Sequence, residues 1–172
     1  MKIFIVNGYP RSGKDTFVDM VLSRTMCGFK YSVVDTPKAI LSALGFGSDS
    51  NKTAEYRQYL VKVREILTVR CNYVNSELRD IQELFSPQFC FVMMREPHAI
   101  AKFKQEWDDS VDVVVIERTA ASTAYLSQPL SLRNQSDDSV GMCDADIVID
   151  NNGTLADLEN LVEKFISKFK LV

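Results

Sequence analysis

Five short apolar runs divide the chain, and they constrain its fold more than any other feature of the sequence. They cover residues 3–6, 32–34, 89–94, 111–116 and 145–149. The runs are continuous rather than alternating and are rich in Val, Ile and Phe, which predicts strands buried on both faces. Apolar residues at helical spacing lie between them at 17–22, 56–67 and 74–85, and after the last run at 155–169. Strand alternating with helix predicts an α/β fold with a five-stranded parallel sheet.

Length and composition exclude several classes of protein. A chain of 172 residues is expected to form one domain, and a net charge of −3 gives no support to a nucleic-acid polymer or a membrane surface as partner. No stretch approaches the roughly 18 apolar residues of a membrane span. Four scattered cysteines and a single histidine favour neither a zinc site nor a disulfide framework. We therefore expect a reducing, cytoplasmic location.

Two connections are longer than a minimal alternation requires. Residues 36–88 carry two or three helical patterns between the second and third runs, and residues 118–144 join the fourth and fifth. Both leave the carboxyl side of the predicted strands, where open α/β sheets bind ligands. Because long connections in compact domains are often functional lids, both are expected to contribute to a binding site.

A glycine-rich loop separates the first predicted strand from the first predicted helix. It has the G-x-x-x-x-G-K spacing of a phosphate-binding loop. Its glycines allow successive N–H groups to point inward, and the helix N-terminus adds partial positive charge. Lys14 would reach the β- and γ-phosphates of a nucleotide, although an ordinary glycine-rich turn is the alternative. The candidate phosphate-binding residues are Gly8, Arg11, Ser12, Gly13, Lys14, Asp15 and Thr16.

The end of this loop departs from the general pattern and resembles one family. Asp15 stands where Ser or Thr is expected, and Thr16 follows. This order resembles adenylate kinases and other small monophosphate kinases, and the run Ser12-Gly13-Lys14-Asp15-Thr16 resembles phage-type deoxynucleoside monophosphate kinases. The resemblance implies ATP and Mg²⁺ as cofactors, with Thr16 holding the ion only through water or else contacting the α-phosphate.

The same resemblance specifies the architecture. It implies a three-layer P-loop NTPase fold whose sheet has the order 2-3-1-4-5. Residues 1–172 would form a single P-loop kinase domain, with an acceptor-binding helical insertion at about 36–88 and a lid at about 118–144.

The tail of the chain carries a second resemblance. Residues 145–158 resemble the final strand, turn and helix of deoxynucleoside monophosphate kinases and dephospho-coenzyme A kinases. The resemblance places Asn151, Asn152 and Gly153 near the adenine of ATP. The alternative is a strand-to-helix turn whose Asn and Gly residues adopt positive φ.

Candidate acceptor-binding residues follow the second predicted strand. The resemblance implies that Asp35 orients the acceptor phosphate or holds magnesium-bound water, and that Lys38 neutralises phosphate charge. Asp35 is also a plausible N-cap of the next helix. Arg57 would clamp the acceptor monophosphate, because a guanidinium meets two phosphate oxygens at once. Arg64 and Arg70 compete with Arg57 for that role, and a solvated surface position is the alternative.

Charged residues also follow the third and fourth predicted strands. Arg95 is a candidate for the acceptor phosphate and Glu96 for the acid near magnesium, unless the pair simply caps the helix that begins at Pro97. Arg118 and Arg133 are the basic residues of the predicted lid, and the resemblance implies lid arginines over the transferring phosphoryl group. The catalytic candidates are Lys14, Asp35, Arg118 and Arg133.

The resemblance implies ATP-dependent phosphorylation of a (deoxy)nucleoside monophosphate to the diphosphate. The alternatives are a dephospho-coenzyme A or phosphomevalonate kinase-like phosphotransferase, a nucleotide-binding module without transferase activity, and an ATPase that drives motion. The ATPase would need an apolar run ending in Asp or Asp-Glu, and none is clear. The expected partner is a small-molecule phosphate acceptor. We expect a monomer or homodimer in the cytoplasm, or in the host-cell cytoplasm for a virus-encoded protein.

Overall fold

A computed structural model describes residues 1–46, 53–129, 133, 138–140 and 142–171. The strands are β1 (Lys2–Asn7), β2 (Gly28–Ser32), β3 (Phe89–Met93), β4 (Val111–Glu117) and β5 (Ile147–Asp150). The helices are α1 (Lys14–Ser23), α2 (Asp35–Ala43), α3 (Ala54–Cys71), α4 (Tyr73–Phe85), α5 (Pro97–Trp107), α6 (Thr119–Leu126) and α7 (Leu155–Phe169). A 3-10 turn at Asp108–Ser110 leads from α5 into β4.

The strands form one sheet with helices on both sides, in the order β2-β3-β1-β4-β5. β1 pairs in parallel with β3, with Lys2 opposite Phe89, and with β4, with Ile3 opposite Val111. β5 continues the sheet from β4. The predicted three-layer α/β fold and its strand order are thus confirmed. The apolar run of β1 is continuous because both faces of this central strand are buried.

The position of the second strand was predicted wrongly. The apolar run at residues 32–34 suggested a strand there, but β2 occupies Gly28–Ser32 and Val33 and Val34 form the turn before α2. β2 is an edge strand and its residues are mostly only half-buried. A strand in this position does not need a continuous apolar run, so no such run marks it in the sequence. Helix α6 was also missed, inside a segment predicted only as a connection.

The chain divides into two compact units, and the first comprises Met1–Lys30 with Pro87–Val172. Its core is rich in phenylalanine. The Phe4 ring lies 5.0 Å from Phe165 and 4.9 Å from Phe169 between centroids, and 5.5 Å from Phe91. Phe17 of α1 meets Phe165 of α7 at 5.2 Å. This cluster fixes α1 and α7 against the sheet, and with them the loop that precedes α1.

The second unit, Tyr31–Ser86, contains α2, α3 and α4. Its polar centre is the Glu77 carboxylate, which accepts hydrogen bonds from the Tyr31 hydroxyl and from Thr36 Oγ1, both at 2.7 Å. Burial and this hydrogen bond raise the pKa of Tyr31 far above its usual value. The predicted insertion, residues 36–88, holds these helices, and its residues 47–52 lie outside the described ranges.

Within the described ranges, no helix combines the length and the apolar character that crossing a membrane requires.

Candidate phosphate-binding site

The loop between β1 and α1 has a backbone that only glycine can adopt at two positions. Gly8 has φ +146° and Gly13 has φ +96°. A Cβ on Gly8 would lie 2.5 Å from the carbonyl oxygen of Ile116 and 2.8 Å from Ser12 Oγ. Arg11 adopts φ +65°, which costs free energy for a residue with a side chain. Such conformations cluster where a backbone is shaped for a ligand.

The N-terminus of α1 opens directly from this loop. Gly13 is the N-cap, and the first helical hydrogen bond runs from the Phe17 N–H to the Gly13 carbonyl at 2.9 Å. The amides at the start of a helix have no acceptor within it, and glycine has no side chain to cap them. Together with the helix dipole, these N–H groups form an attractive site for an anion.

Two buried side chains add hydrogen-bond donors to the loop. Ser12 is 1% exposed, and its Oγ has no hydrogen-bond partner within the described part of the chain. A buried hydroxyl without a partner is costly, so a bound ligand is a natural partner for it. Lys14 is 6% exposed, and its Nζ donates to the Tyr9 carbonyl oxygen at 2.8 Å. The two glycines with positive φ, the unsatisfied hydroxyl and the buried ammonium together suit the binding of a phosphate group.

The Asp15 carboxylate forms an ion pair away from the loop, with Lys30 Nζ at 3.0 Å. Lys30 also meets Asp19, at 2.9 Å. Partial burial of Lys30 tends to lower its pKa, but the hydrogen bonds to the two carboxylates outweigh this and raise it. The ion pair neutralises a carboxylate that would otherwise oppose an anion at this helix end. Thr16, the next residue, is exposed.

The turn after β5 contacts the phosphate loop through one side chain. The backbone N–H of Asn151 extends the β4–β5 ladder by donating to the Glu117 carbonyl at 2.8 Å. The side-chain Nδ2 of Asn151 donates to the Ser12 carbonyl oxygen, also at 2.8 Å, and Asn151 is buried. Asn152 Oδ1 instead accepts from the Thr119 N–H at the start of α6, at 2.8 Å.

Residue 153 is glycine because a side chain there would collide with its neighbours, and not because its backbone has a positive φ. The segment is a strand-to-helix turn, as the alternative interpretation expected, but none of Asn151, Asn152 and Gly153 has the positive φ that it also expected. A Cβ on Gly153 would lie 2.6 Å from Asp157 Oδ2. That carboxylate and Thr154 cap α7 reciprocally in a capping box.

The charged residues after β3 begin α5. Glu96 is its N-cap and is 8% exposed, while Arg95 is half-buried. Glu96 stands at the N-cap, as the capping alternative expected, but its carboxylate makes no capping hydrogen bond to the helix.

The two arginines of the predicted lid lie at opposite ends of α6. Arg118 is exposed and is the N-cap. Arg133 donates from Nε to the Gln128 carbonyl at 2.9 Å and from Nη2 to the Leu126 carbonyl, and its guanidinium lies 5.9 Å from the Tyr125 ring centroid. Its bond to Leu126 satisfies a carbonyl that the end of α6 leaves open. Residues 130–132, 134–137 and 141 of the predicted lid lie outside the described ranges.

The three candidates taken from residues 35–57 belong to the second unit. Asp35 is exposed in the first turn of α2. The N-cap of this helix is Val34, so the expectation that Asp35 is the N-cap is wrong by one residue. Lys38 and Arg57 are exposed on α2 and α3.

Sequence reasoning missed Asn7, the last residue of β1. It is fully buried; its Oδ1 accepts from the Gly8 N–H at 2.7 Å, and its Nδ2 donates to the Arg95 carbonyl at 3.4 Å and to Cys143 Sγ at 3.2 Å. A polar residue at the end of an apolar run, directly before a glycine, is the sequence signal that could have identified Asn7 as a hydrogen-bonding residue of the loop. Also missed was the packing of Tyr9 against Tyr125, with ring centroids 5.4 Å apart.

No family model and no curated protein matches the chain. Solved structures do match over nearly its whole length. A sugar kinase from a Janibacter species has a TM-score of 0.57 at 14% identity, covering 100% of this chain and 96% of that one. Shikimate kinase from Aquifex aeolicus gives 0.51 at 15%, covering 99% and 96%. Dephospho-CoA kinase from Campylobacter jejuni gives 0.52 at 16%, covering 97% and 96%. The chain therefore has the fold of the P-loop kinases.

Proposed function

We propose that this protein is an ATP-dependent phosphotransferase whose acceptor is a (deoxy)nucleoside monophosphate. The observation that carries the proposal is the loop from Gly8 to Lys14, in which a buried, unsatisfied Ser12 hydroxyl and a buried lysine accompany the open N-terminus of α1. Such a site suits the polyphosphate of a nucleotide. The nucleoside monophosphate as acceptor is supported by the resemblance of residues 12–16 and 145–158 to that family.

The protein groups at the donor site would act through charge and position. Lys14 would exchange its bond to the Tyr9 carbonyl for bonds to phosphate oxygens, which places its charge where negative charge develops during transfer. Thr16 and Glu96 would hold Mg²⁺ together with the phosphates. No three His, Cys, Asp or Glu side chains among the described residues form a metal cage, which suits an ion that arrives with the nucleotide. When bound, Mg²⁺ supplies charge neutralisation at the phosphates.

The acceptor would be held by cationic side chains. In the second unit, Arg57 and Lys38 would bind its phosphate and Asp35 would orient it, as the resemblance implies. In the first unit, the cationic candidates are Arg95 and Arg118, which follow β3 and β4. A monophosphate oxygen is already ionised, so the reaction needs no general base. Catalysis would consist of positioning and electrostatic stabilisation.

The proposal is tested by coupled ADP release across a panel of acceptors. The panel contains the nucleoside and deoxynucleoside monophosphates, dephospho-coenzyme A, phosphomevalonate, shikimate and a hexose, with an acceptor-free control. We expect turnover with one or a few monophosphates. Turnover with another acceptor alone would replace the nucleotide as substrate. ATP binding without turnover on any acceptor would favour a binding module, and ADP release that needs no acceptor would favour an ATPase.

The acceptor assignment makes a separate prediction for Arg57. Arg57→Ala should weaken binding of the best monophosphate about ten- to a hundredfold, since a charged hydrogen bond contributes about 1.5–3 kcal/mol. ATP affinity should stay nearly unchanged. Calorimetric titration measures both. Lys62→Ala removes an exposed cation from the same helix and is the matched control. Equal weakening of both ligands would show that Arg57 does not clamp the acceptor.

A further inference from the structure

The amide of Asn151 ties the turn after β5 to the phosphate loop. Its Nδ2 lies 2.8 Å from the Ser12 carbonyl oxygen, and its own backbone N–H is held by Glu117 at the end of β4. Asn151 is 7% exposed, so water does not compete freely for this bond. The amide is therefore a rigid donor presented by the sheet to one particular peptide group of the loop.

The peptide group between Ser12 and Gly13 carries its carbonyl oxygen and its N–H on opposite edges. In a planar trans peptide the carbonyl and the next N–H point in opposite directions. Holding the Ser12 carbonyl toward Asn151 thus turns the Gly13 N–H away from it. Gly13, at φ +96°, also lacks the Cβ that would hinder rotation of this peptide. A rotated peptide would present a carbonyl oxygen, and not an N–H, to an anion at the start of α1.

The contact also explains why residue 13 must be glycine. A Cβ built there would lie against Asn151 Nδ2. The close approach and the positive φ are satisfied together only without a side chain.

We propose that Asn151 is a positioning residue, which holds the Ser12–Gly13 peptide with its N–H available to phosphate and does not itself contact the adenine. This inference rests on the proposed nucleotide binding. It assigns Asn151 an action on the phosphates through the loop, whereas the sequence resemblance implied a place beside the base.

The test compares two ligands that share phosphates but not a base. MgATP and inorganic tripolyphosphate with Mg²⁺ are titrated calorimetrically into the wild type, Asn151→Ala and Asn151→Asp. We expect Asn151→Ala to weaken both ligands by the same factor, about tenfold, as for loss of a buried hydrogen bond. Asn151→Asp keeps the shape but sets a carboxylate against the Ser12 carbonyl, so both affinities should fall further, by about a hundredfold. Because it is isosteric, it also serves if the alanine variant fails to fold.

Thr154→Ala is the matched control, since it removes the N-cap of α7 in the same turn without touching the loop. It should lower the melting temperature and leave both affinities unchanged. Loss of ATP affinity alone in the Asn151 variants would show a base contact and overturn the inference, as would unchanged affinities or equal losses in Thr154→Ala. If the wild type binds neither ligand, the proposed function fails first, and the inference with it.

Discussion

At the scale of single residues, the loop combines features that the sequence displays with features that it hides. The spacing of Gly8, Gly13 and Lys14 is visible in the chain and predicted a phosphate loop. The orientation of Asp15 is not visible, because it depends on Lys30, which approaches only once β2 has formed. The same holds for Asn151, whose donor meets the Ser12 carbonyl from the far end of the chain.

Replacement of Lys14 by methionine tests the central charge of the site. Met keeps much of the buried volume but removes the ammonium, so turnover should fall about a hundred- to a thousandfold while the melting temperature changes little. Steady-state kinetics and a thermal melt measure the two effects. Lys102→Met, which removes an exposed lysine of α5, is the control. Wild-type turnover in Lys14→Met would exclude the phosphate-loop assignment.

At the scale of elements, the short strand β5 is held to β4 by a side-chain hydrogen bond as well as by the backbone ladder. Asp146 precedes β5; its Oδ2 accepts from the Val113 N–H and from Lys104 Nζ, both at 2.8 Å. Partial burial tends to raise the pKa of this carboxyl, but the bonds from Lys104 and Val113 outweigh it and lower the pKa. The turn that carries Asn151 begins five residues later, so this anchor also supports the loop.

Asp146→Asn should therefore destabilise the protein in a pH-dependent way. A carboxyl whose folded pKa lies below its unfolded value of about 3.9 stabilises the fold above that pH, and the contribution disappears as pH falls through the folded pKa. Because the ion pair is partly exposed, we expect at most about 1 kcal/mol at pH 7. Urea unfolding at pH 7 and near pH 3 measures it, with the exposed Asp144→Asn as control. A difference of the same size at both pH values would contradict this origin.

At the scale of the whole molecule, the sequence predicted the strands that are buried on both faces. It did not correctly predict β2 and α6, which are less buried. Central strands such as β1 and β3 must be continuous apolar runs, and they were found. The edge strand β2 and helix α6 carry no such requirement and were misplaced or missed. The strand order followed from the family resemblance, because pairings between residues such as Lys2 and Phe89 leave no local pattern.

The cysteines report on the integrity of this core. Cys90 lies fully buried in β3, and burial raises the pKa of its thiol to about 12, whereas Cys27 and Cys71 are exposed. Since the thiolate is the reactive form, iodoacetamide should modify Cys27 and Cys71 in the native protein and Cys90 only after global unfolding. Peptide mass spectrometry after timed labelling distinguishes them. Labelling of Cys90 at the rate of Cys27 would mean that the sheet opens locally.

The parallel arrangement of β1 sets the order in which the chain can acquire its structure on the ribosome. β1 is synthesised before its neighbours β3 and β4, which pair with it at Phe89 and Val111. Until those residues leave the exit tunnel, an apolar strand and the glycine loop behind it have no sheet to join. The contiguous unit Tyr31–Ser86 is complete before then. Assembly of the candidate phosphate-binding site is consequently a late step in synthesis, and nascent β1 is the strand that waits longest for its partners.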